Sequence, residues 1–267
     1  MNRNGLEFIS HILNMRLLME IKGQTAFENM AEDEAIMNCG GGLTLRLYRW
    51  EPRAVSLGYF QSIEDEVDVK FCKDNEIDLV RRTTGGGTVF HDRELTYSIL
   101  VPLEIWYDLL DKKGFDKSTA SSYRVLCTPL IRGMRKFGVN AEFSPINDLE
   151  VCNKKLSGNA QTRREGYLLQ HGTILFDLDL ETMFRALKVS EFKIRDKRIS
   201  SAQERVTSIT SLGINLKEED LAWAIAEGFG ELFSSPQERA ELSDEEKKEK
   251  GRLRSEKYSQ GWWNHLR

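Results

Sequence analysis

Arg81-Arg82-Thr83-Thr84-Gly85-Gly86-Gly87-Thr88-Val89-Phe90-His91-Asp92 is the stretch that decides how this chain is read. Two arginines stand just before three consecutive glycines. Residues without a Cβ let backbone N–H groups converge on an anion at close range. Forked arginine donors suit carboxylate or phosphate oxygens. The plainer reading of Gly85, Gly86 and Gly87 is a flexible turn between two strands. Thr88-Val89-Phe90 is apolar and β-branched, so the loop leads into a strand. No G-x-G-x-x-G opens a helix and no G-x-x-x-x-G-K-[ST] occurs. A nucleotide held here would therefore lie on a sheet surface. Outward along the chain, Asn153-Lys154-Lys155-Leu156-Ser157-Gly158-Asn159-Ala160-Gln161 places lysines beside small residues that leave room for a ligand. The two segments together describe a site for a negatively charged small molecule, with a cation able to reach it.

The 267 residues suffice for one large domain, or one with a small appendage. A 40% apolar content supports a globular core, and 30% charged residues support a solvated surface. A net charge of −4 argues against a nucleic-acid partner, which calls for a basic field. Cys39, Cys72, Cys127 and Cys152 share no C-x-x-C spacing and read as reduced thiols of a cytoplasmic protein. Leu6, Phe8, Ile9, Ile12 and Leu13 are interrupted by Glu7, His11 and Arg16, which excludes a signal peptide or membrane span there.

The spacing predicts a helix over 24–38, with Phe27, Ala31, Ala35 and Met37 along one side. Leu43 to Trp50 alternates with period two and reads as a half-buried strand. Further strands are expected at 54–59, 77–82, 88–91 and 95–101, several linked too closely for helical crossovers. A helix follows over 118–137, with Pro129 inside it and Gly138 ending it. The stretch 141–176 is strand-rich. Asn215 with Glu218 and Ser243 with Glu246 are capping-box patterns. Ser234 to Leu242 reads as a hinge or linker. The fold class expected is α/β (α+β): a mixed, largely antiparallel sheet flanked by helices. Residues 1–233 form the catalytic domain, and 234–267 a helical segment packed on it.

From about Met19 to Asn264 the chain resembles the lipoate-protein ligases and their paralogues, the octanoyltransferases. The strongest matches are Arg81 to Asp92, Asn147-Asp148, Lys155 to Ala160 and His171-Gly172-Thr173-Ile174-Leu175. Weaker ones are Asn29 to Ala35, Ser56-Leu57-Gly58-Tyr59-Phe60-Gln61 and Glu204 to Ile209. The resemblance implies the biotin/lipoate ligase fold, related to class II aminoacyl-tRNA synthetases. It implies Lys155 as the catalytic cation, Asn147 as a nucleotide contact and Asp148 as a magnesium ligand. Arg82 would face the phosphates, with Arg81 structural. The binding site it outlines comprises Arg82, Gly85, Gly86, Gly87, Val89, Phe90, His91, Asn147, Ser157, Gly158, Ala160, His171 and Gly172. Read without the family, Asn147-Asp148 is a turn, Lys154 a solvated lysine, and His91 and His171 hydrogen-bonded structural residues. In His171-Gly172, the histidine is expected to support the site and Gly172 to admit the ligand closely.

The activity implied is ATP-dependent ligation: lipoate and ATP form lipoyl-AMP, aided by Mg2+, and a lysine of a lipoyl domain or glycine-cleavage H protein takes the lipoyl group. The nearest rival is an octanoyltransferase working from acyl carrier protein without ATP. Those paralogues form an acyl-thioester on a cysteine upstream of the Asn147–Val151 segment, where Ala141 to Asp148 has none. Cys152 is out of position and reads as a small apolar filler. Yet Glu94-Leu95-Thr96-Tyr97-Ser98 and Leu57-Gly58-Tyr59-Phe60-Gln61 are more transferase-like. A biotin ligase and a non-catalytic lipoyl-domain binder are more distant rivals. The family's small accessory domain, expected beyond Lys257-Tyr258-Ser259, is absent from this sequence. Trp262 and Trp263 either dock on the domain's own core or meet a separate accessory subunit.

Overall fold

Helix α1 (Ala26–Asn38) starts where Thr25 and Glu28 close a capping box, each satisfying the other's backbone N–H. In the computed structural model, which describes residues 14–188 and 204–267, this helix connects two parallel strands, β1 (Met15–Gln24) and β2 (Thr44–Trp50). The apolar N-terminal positions Leu6 to Leu13 lie outside the described residues. From β2 the sheet continues antiparallel through β6 (Glu94–Pro102), β10 (Tyr167–Leu175), β9 (Lys154–Arg164), β8 (Asp148–Val151) and β7 (Glu142–Ser144). On the other edge β11 (Gln237–Arg239) pairs parallel with β1, making eight strands in the order β11-β1-β2-β6-β10-β9-β8-β7 among the described residues. The segment expected as a linker, 234–242, thus contributes a strand.

Strand alternation sorts side chains between two faces. Leu45, Leu47, Leu95, Tyr97, Ile99, Leu168 and Ile174 join one large core. Helices α4 (Leu103–Lys113), α5 (Thr119–Arg135) and α7 (Glu218–Phe233) contribute Trp106, Leu126, Leu130, Ile225 and Phe229 to it. A Cβ on Gly228 would lie 3.0 Å from the Pro129 carbonyl oxygen, so α5 and α7 touch backbone to backbone there. On the opposite face, Tyr48 and Trp50 pack with Met30 and Ala31 of α1. Strand β2 is therefore covered on both sides rather than half-buried. The Asn215–Glu218 capping box does not form: α7 starts at Glu218, with Lys217 at the N-cap and no side-chain cap bond. The Ser243–Glu246 box does form, at the start of α8 (Asp244–Leu253).

Carboxylates of α1 are buried against cations from other elements. Arg46 Nε donates to Glu32 at 2.9 Å, its Nη1 to Asp33, and Lys250 Nζ to Glu32 at 2.6 Å. Burial raises the Asp33 and Glu32 carboxyls, but the Arg46 charge and further partners outweigh it and hold both below the usual range. A second sheet, β4 (Asp78–Arg81), β3 (Ala54–Leu57) and β5 (Val89–His91), in the order β4-β3-β5, lies across the α1 side. The expected strands at 77–82, 54–59 and 88–91 are these three. Short helices α2 (Ile63–Glu66) and α3 (Val69–Asp74) and α6 (Leu180–Ala186) close its outer surface.

The last residues lock this small sheet. Arg81 is fully buried and donates to five carbonyls: Gly58, Tyr59, Gln61, Trp263 and Asn264. In return Trp263 Nε1 donates to the Arg81 carbonyl and Asn264 Oδ1 accepts the Arg81 N–H, both at 2.8 Å. A π-helical turn (Arg254–Tyr258) leads to α9 (Gly261–Asn264), and Lys257 and Tyr258 hydrogen-bond to Glu34 of α1. The two tryptophans part company: Trp263 is buried, whereas Trp262 stays 60% exposed.

Candidate active site

Between the two sheets lies a cavity of about 390 Å³, within the range of small-molecule sites. Apolar residues of its wall include Val89, Leu178, Met183, Leu187 and Val206, the last paired with Lys155 by a single β-bridge, and polar ones include Lys155, His91, His171 and Asn159.

Lys155 reaches the cavity because of a β-bulge. The β8–β9 register pairs Leu149 with Ser157 but Glu150 with Lys155, so Leu156 is an extra residue. Gly158 and Ala160 line the cavity, while Ser157 does not. Regular alternation would put Lys155 on the same face as Ser157, in the core; the bulge places Leu156 there and turns Lys155 toward Gly158. Its stem lies across Gly158, where an added Cβ would come within 2.8 Å of Lys155 Cε. Lys155 Nζ contacts Asp148 Oδ1 at 2.9 Å, and Thr207 N–H donates to the Lys155 carbonyl.

The glycine loop is held from inside. Gly58 passes so near Gly86 that a Cβ at 58 would lie 1.9 Å from the Gly86 oxygen, and Gly86 itself has φ +92°. Arg82 is the clamp. Its Nη2 donates to the Gly85 and Gly87 carbonyls at 2.9 and 2.6 Å. Nε donates to Thr84 Oγ1 at 3.1 Å, and Nη1 to Ser56 O and Oγ at 2.9 and 3.2 Å. Burial lowers its pKa to about 10. The expected phosphate-facing role does not fit, because the guanidinium donors already serve the protein.

Two histidines line the cavity with different partners. His171 Nε2 contacts Thr84 Oγ1 at 2.7 Å and its Nδ1 lies 3.7 Å from Asp33. Burial lowers the His171 pKa, with Asp33 opposing. His91 stacks on Trp50 at 3.9 Å and bridges two groups: Nε2 meets Ser56 Oγ at 2.7 Å, and Nδ1 meets Glu94 Oε1 at 2.6 Å. A pure donor, Trp50, orients one end of this chain of bonds. Trp50 Nε1 donates to Thr96 Oγ1 at 2.8 Å, so Thr96 donates onward to Glu94 Oε1, also at 2.8 Å. Glu94 also accepts from His91 Nδ1–H, which in the neutral imidazole leaves Nε2 as the acceptor of the Ser56 hydroxyl proton. Arg82 Nη1 donates to the same Ser56 oxygen. The polarity is assigned from these partners.

Several expectations are corrected by position. Gly85 is not part of the cavity wall, and Ser157 is buried behind it. Gly172 does line the cavity, but its missing Cβ makes room for Asn159, whose Oδ1 would lie 2.1 Å away. Asn147 lines the cavity too, yet its amide is spent on the Asn159 carbonyl. Asp148 faces Lys155, and no group of three or more His, Cys, Asp or Glu that could hold a metal occurs among the described residues. One carboxylate already paired with a lysine does not fit a magnesium site. Gly86, Gly87, Val89, Phe90 and His91 are in the wall as expected. Reasoning from sequence missed Ser56 and Glu94, although both stand in family-like motifs. It also missed Met183 and Leu187, whose element carried no motif.

None of the four cysteines lines the cavity. Cys72 and Cys127 are buried, their thiols pushed up to about 11 and about 12 by desolvation. Cys39 caps α1. Cys152 sits exposed in the β8–β9 turn at φ +50°. It stands four residues along from Asp148, roughly 13 Å at strand spacing.

Residues 25–230 match the family model of the lipoyl protein ligase A/B catalytic domain. The chain belongs to that family. It is 38% identical to the octanoyltransferase LipM of Kyrpidia tusciae, over 94% of this chain and 98% of that one. It is 33% identical to the octanoyltransferase LipM of Clostridioides difficile, over 88% and 93%. Its fold matches a solved bi-partite lipoate protein ligase from Thermoplasma acidophilum with a TM-score of 0.82 and 31% identity, covering 96% and 97%. The biotin/lipoate ligase fold expected from the motifs is therefore the one observed.

The same relatives overturn the expected activity. The solved neighbour is a ligase by name, but the curated sequence relatives, at 31–38% identity over 93% or more of their length, are octanoyltransferases by name. A transferase moves an acyl group that is already activated, so ATP, Mg2+ and an acyl-adenylate fall with the ligase reading. No helix among the described residues is long and apolar enough to cross a membrane.

Proposed function

We propose that this chain transfers an octanoyl group from an acyl carrier protein to a lysine of a lipoyl domain, without ATP. The observation that carries the reading is Lys155 in the wall of a cavity with many apolar lining residues, whose arginine has its donors already committed. Such a cavity suits an aliphatic chain ending in a reactive carbonyl better than a triphosphate. The octanoyltransferase relatives support the same class of reaction.

In this reading the alkyl chain lies among Val89, Leu178, Met183 and Leu187. The Lys155 ammonium offsets negative charge growing on the carbonyl oxygen as the nucleophile adds. Asp148 keeps the ammonium in place from the next strand. The acceptor lysine, with a reference pKa near 10.4, must lose a proton before it attacks. Lipoyl domains of 2-oxoacid dehydrogenases and the glycine-cleavage H protein are the acceptors of that chemistry.

The test is to incubate the purified chain with octanoyl-carrier protein and a lipoyl domain, without nucleotide, and weigh the lipoyl domain by intact mass spectrometry. One octanoyl group gained is the expected result. Modification that appears only with ATP and free acid would overturn the proposal.

A further inference from the structure

We propose that Ser56 Oγ carries the acyl group between donor and acceptor, with His91 as its base and Glu94 holding the imidazole. This rests on the acyl-transfer reading above. A two-stage transfer needs a nucleophile in the cavity, and no cysteine lines it. Ser56, His91 and Lys155 do line it. The Ser56 Oγ–His91 Nε2 distance is 2.7 Å and the His91 Nδ1–Glu94 Oε1 distance 2.6 Å, the spacing by which a hydroxyl is activated through an oriented imidazole. With a neutral His91 whose Nδ1–H is held by Glu94, Nε2 is the acceptor and Ser56 gives its proton to it, the polarity a general base requires. Arg82, whose Nη1 lies 3.2 Å from Oγ and whose other partners are neutral carbonyls and the Thr84 hydroxyl, favours negative charge on that oxygen.

In the first stage Ser56 Oγ attacks the thioester carbonyl carbon and its proton passes to His91 Nε2. The C–S bond then breaks, and the leaving thiolate takes that proton. In the second stage the neutral acceptor amine attacks the Ser56 ester and gives a proton to His91 Nε2. The C–O bond breaks and the proton returns to Ser56 Oγ, leaving an amide.

The experiment mixes the full chain with octanoyl-carrier protein without acceptor, quenches within one turnover and maps the adduct by peptide mass spectrometry. The expected adduct is on Ser56, stable to neutral hydroxylamine and released by alkali, as an oxygen ester behaves. Ser56→Cys should carry it as a thioester, labile to neutral hydroxylamine. Ser56→Ala should lose the adduct and cut transfer by at least ~10³-fold. Glu94→Gln should lower kcat by roughly 10³-fold or more with KM and melting temperature held; a parallel loss of folding would make Glu94 merely structural. Cys152→Ser should transfer normally. Transfer by the wild-type chain with no Ser56 adduct, an adduct on a cysteine, or normal turnover in Ser56→Ala would overturn the Ser56 relay and leave the transferase reading standing. No transfer at all without nucleotide would overturn both.

Discussion

Lys155 and Lys154 are neighbours in sequence with different fates: alternation sends them to opposite faces, and the bulge at Leu156 makes Lys155 the one in the cavity wall. Lys155→Ala should reduce octanoyl transfer by ~10²–10³-fold, the scale for losing one preorganised donor to a developing oxyanion. Its melting temperature should stay near wild type, since the side chain is 43% exposed and its ion-pair partner among the described residues is a partly exposed Asp148. Steady-state rates beside thermal melts decide it, and Lys154→Ala is the control expected to keep its turnover. A Lys155→Ala variant with normal turnover would remove the cation from the mechanism. Arg82 makes the opposite point. Its residue type suggested an anion clamp, yet its donors tie the Gly85–Gly87 loop to Ser56.

Helix starts give two opposed stability predictions. Ser243 caps α8 in a box with Glu246, so Ser243→Ala should cost about 1 kcal/mol. Lys217 stands at the N-cap of α7 in extended backbone with no side-chain bond, so Lys217→Ser should add ~0.5–1 kcal/mol. Urea titrations of both variants check the signs; destabilisation by Lys217→Ser would mean its side chain matters elsewhere. The C-terminal helix is held by specific bonds. Ending the chain after Gly261 removes the Trp263 and Asn264 carbonyls from buried Arg81. Hydrogen bonds to a charged group contribute ~1.5–3 kcal/mol each, so stability should fall by ~3 kcal/mol or more. An unchanged urea midpoint would show that Arg81 finds other acceptors.

At the scale of the molecule, the two sheets meet over buried charge, and this sets a pH dependence. Burial lowers the His171 pKa from its ordinary 6.5, so the unfolded chain binds that proton more readily than the folded one. The stability contributed by neutral His171 is complete above pH 6.5 and is lost as pH falls through the lower folded value. The urea midpoint should therefore drop between about pH 7.5 and 5.5, and His171→Gln should flatten that slope. A midpoint that rises toward acid would contradict the sign. Asp33 and Glu32, held low mainly by Arg46 against their burial, act in the same direction in the carboxylate range.

The motifs alone were enough to determine the family, the passage of the glycine loop into a strand, the α1 and α5 helices and a mixed sheet. Each depends on local pattern: period-two alternation, helical spacing, glycines where backbones converge. They also marked His91, His171, Lys155 and Gly158 as neighbours in one site. Tertiary structure decided the rest, because it turned on pairing. Whether Lys155 faces the cavity depends on one extra residue against a partner strand, and alternation inverts with each such residue. Arg82 became a clamp through carbonyls brought to it by the Gly58–Gly86 approach. The expected Asn215–Glu218 cap lost to a helix beginning at Glu218, and the expected linker became an edge strand of the sheet. Ser56, His91 and Glu94 stand on three strands of two sheets or at their ends, so their alignment exists only after those sheets are packed together.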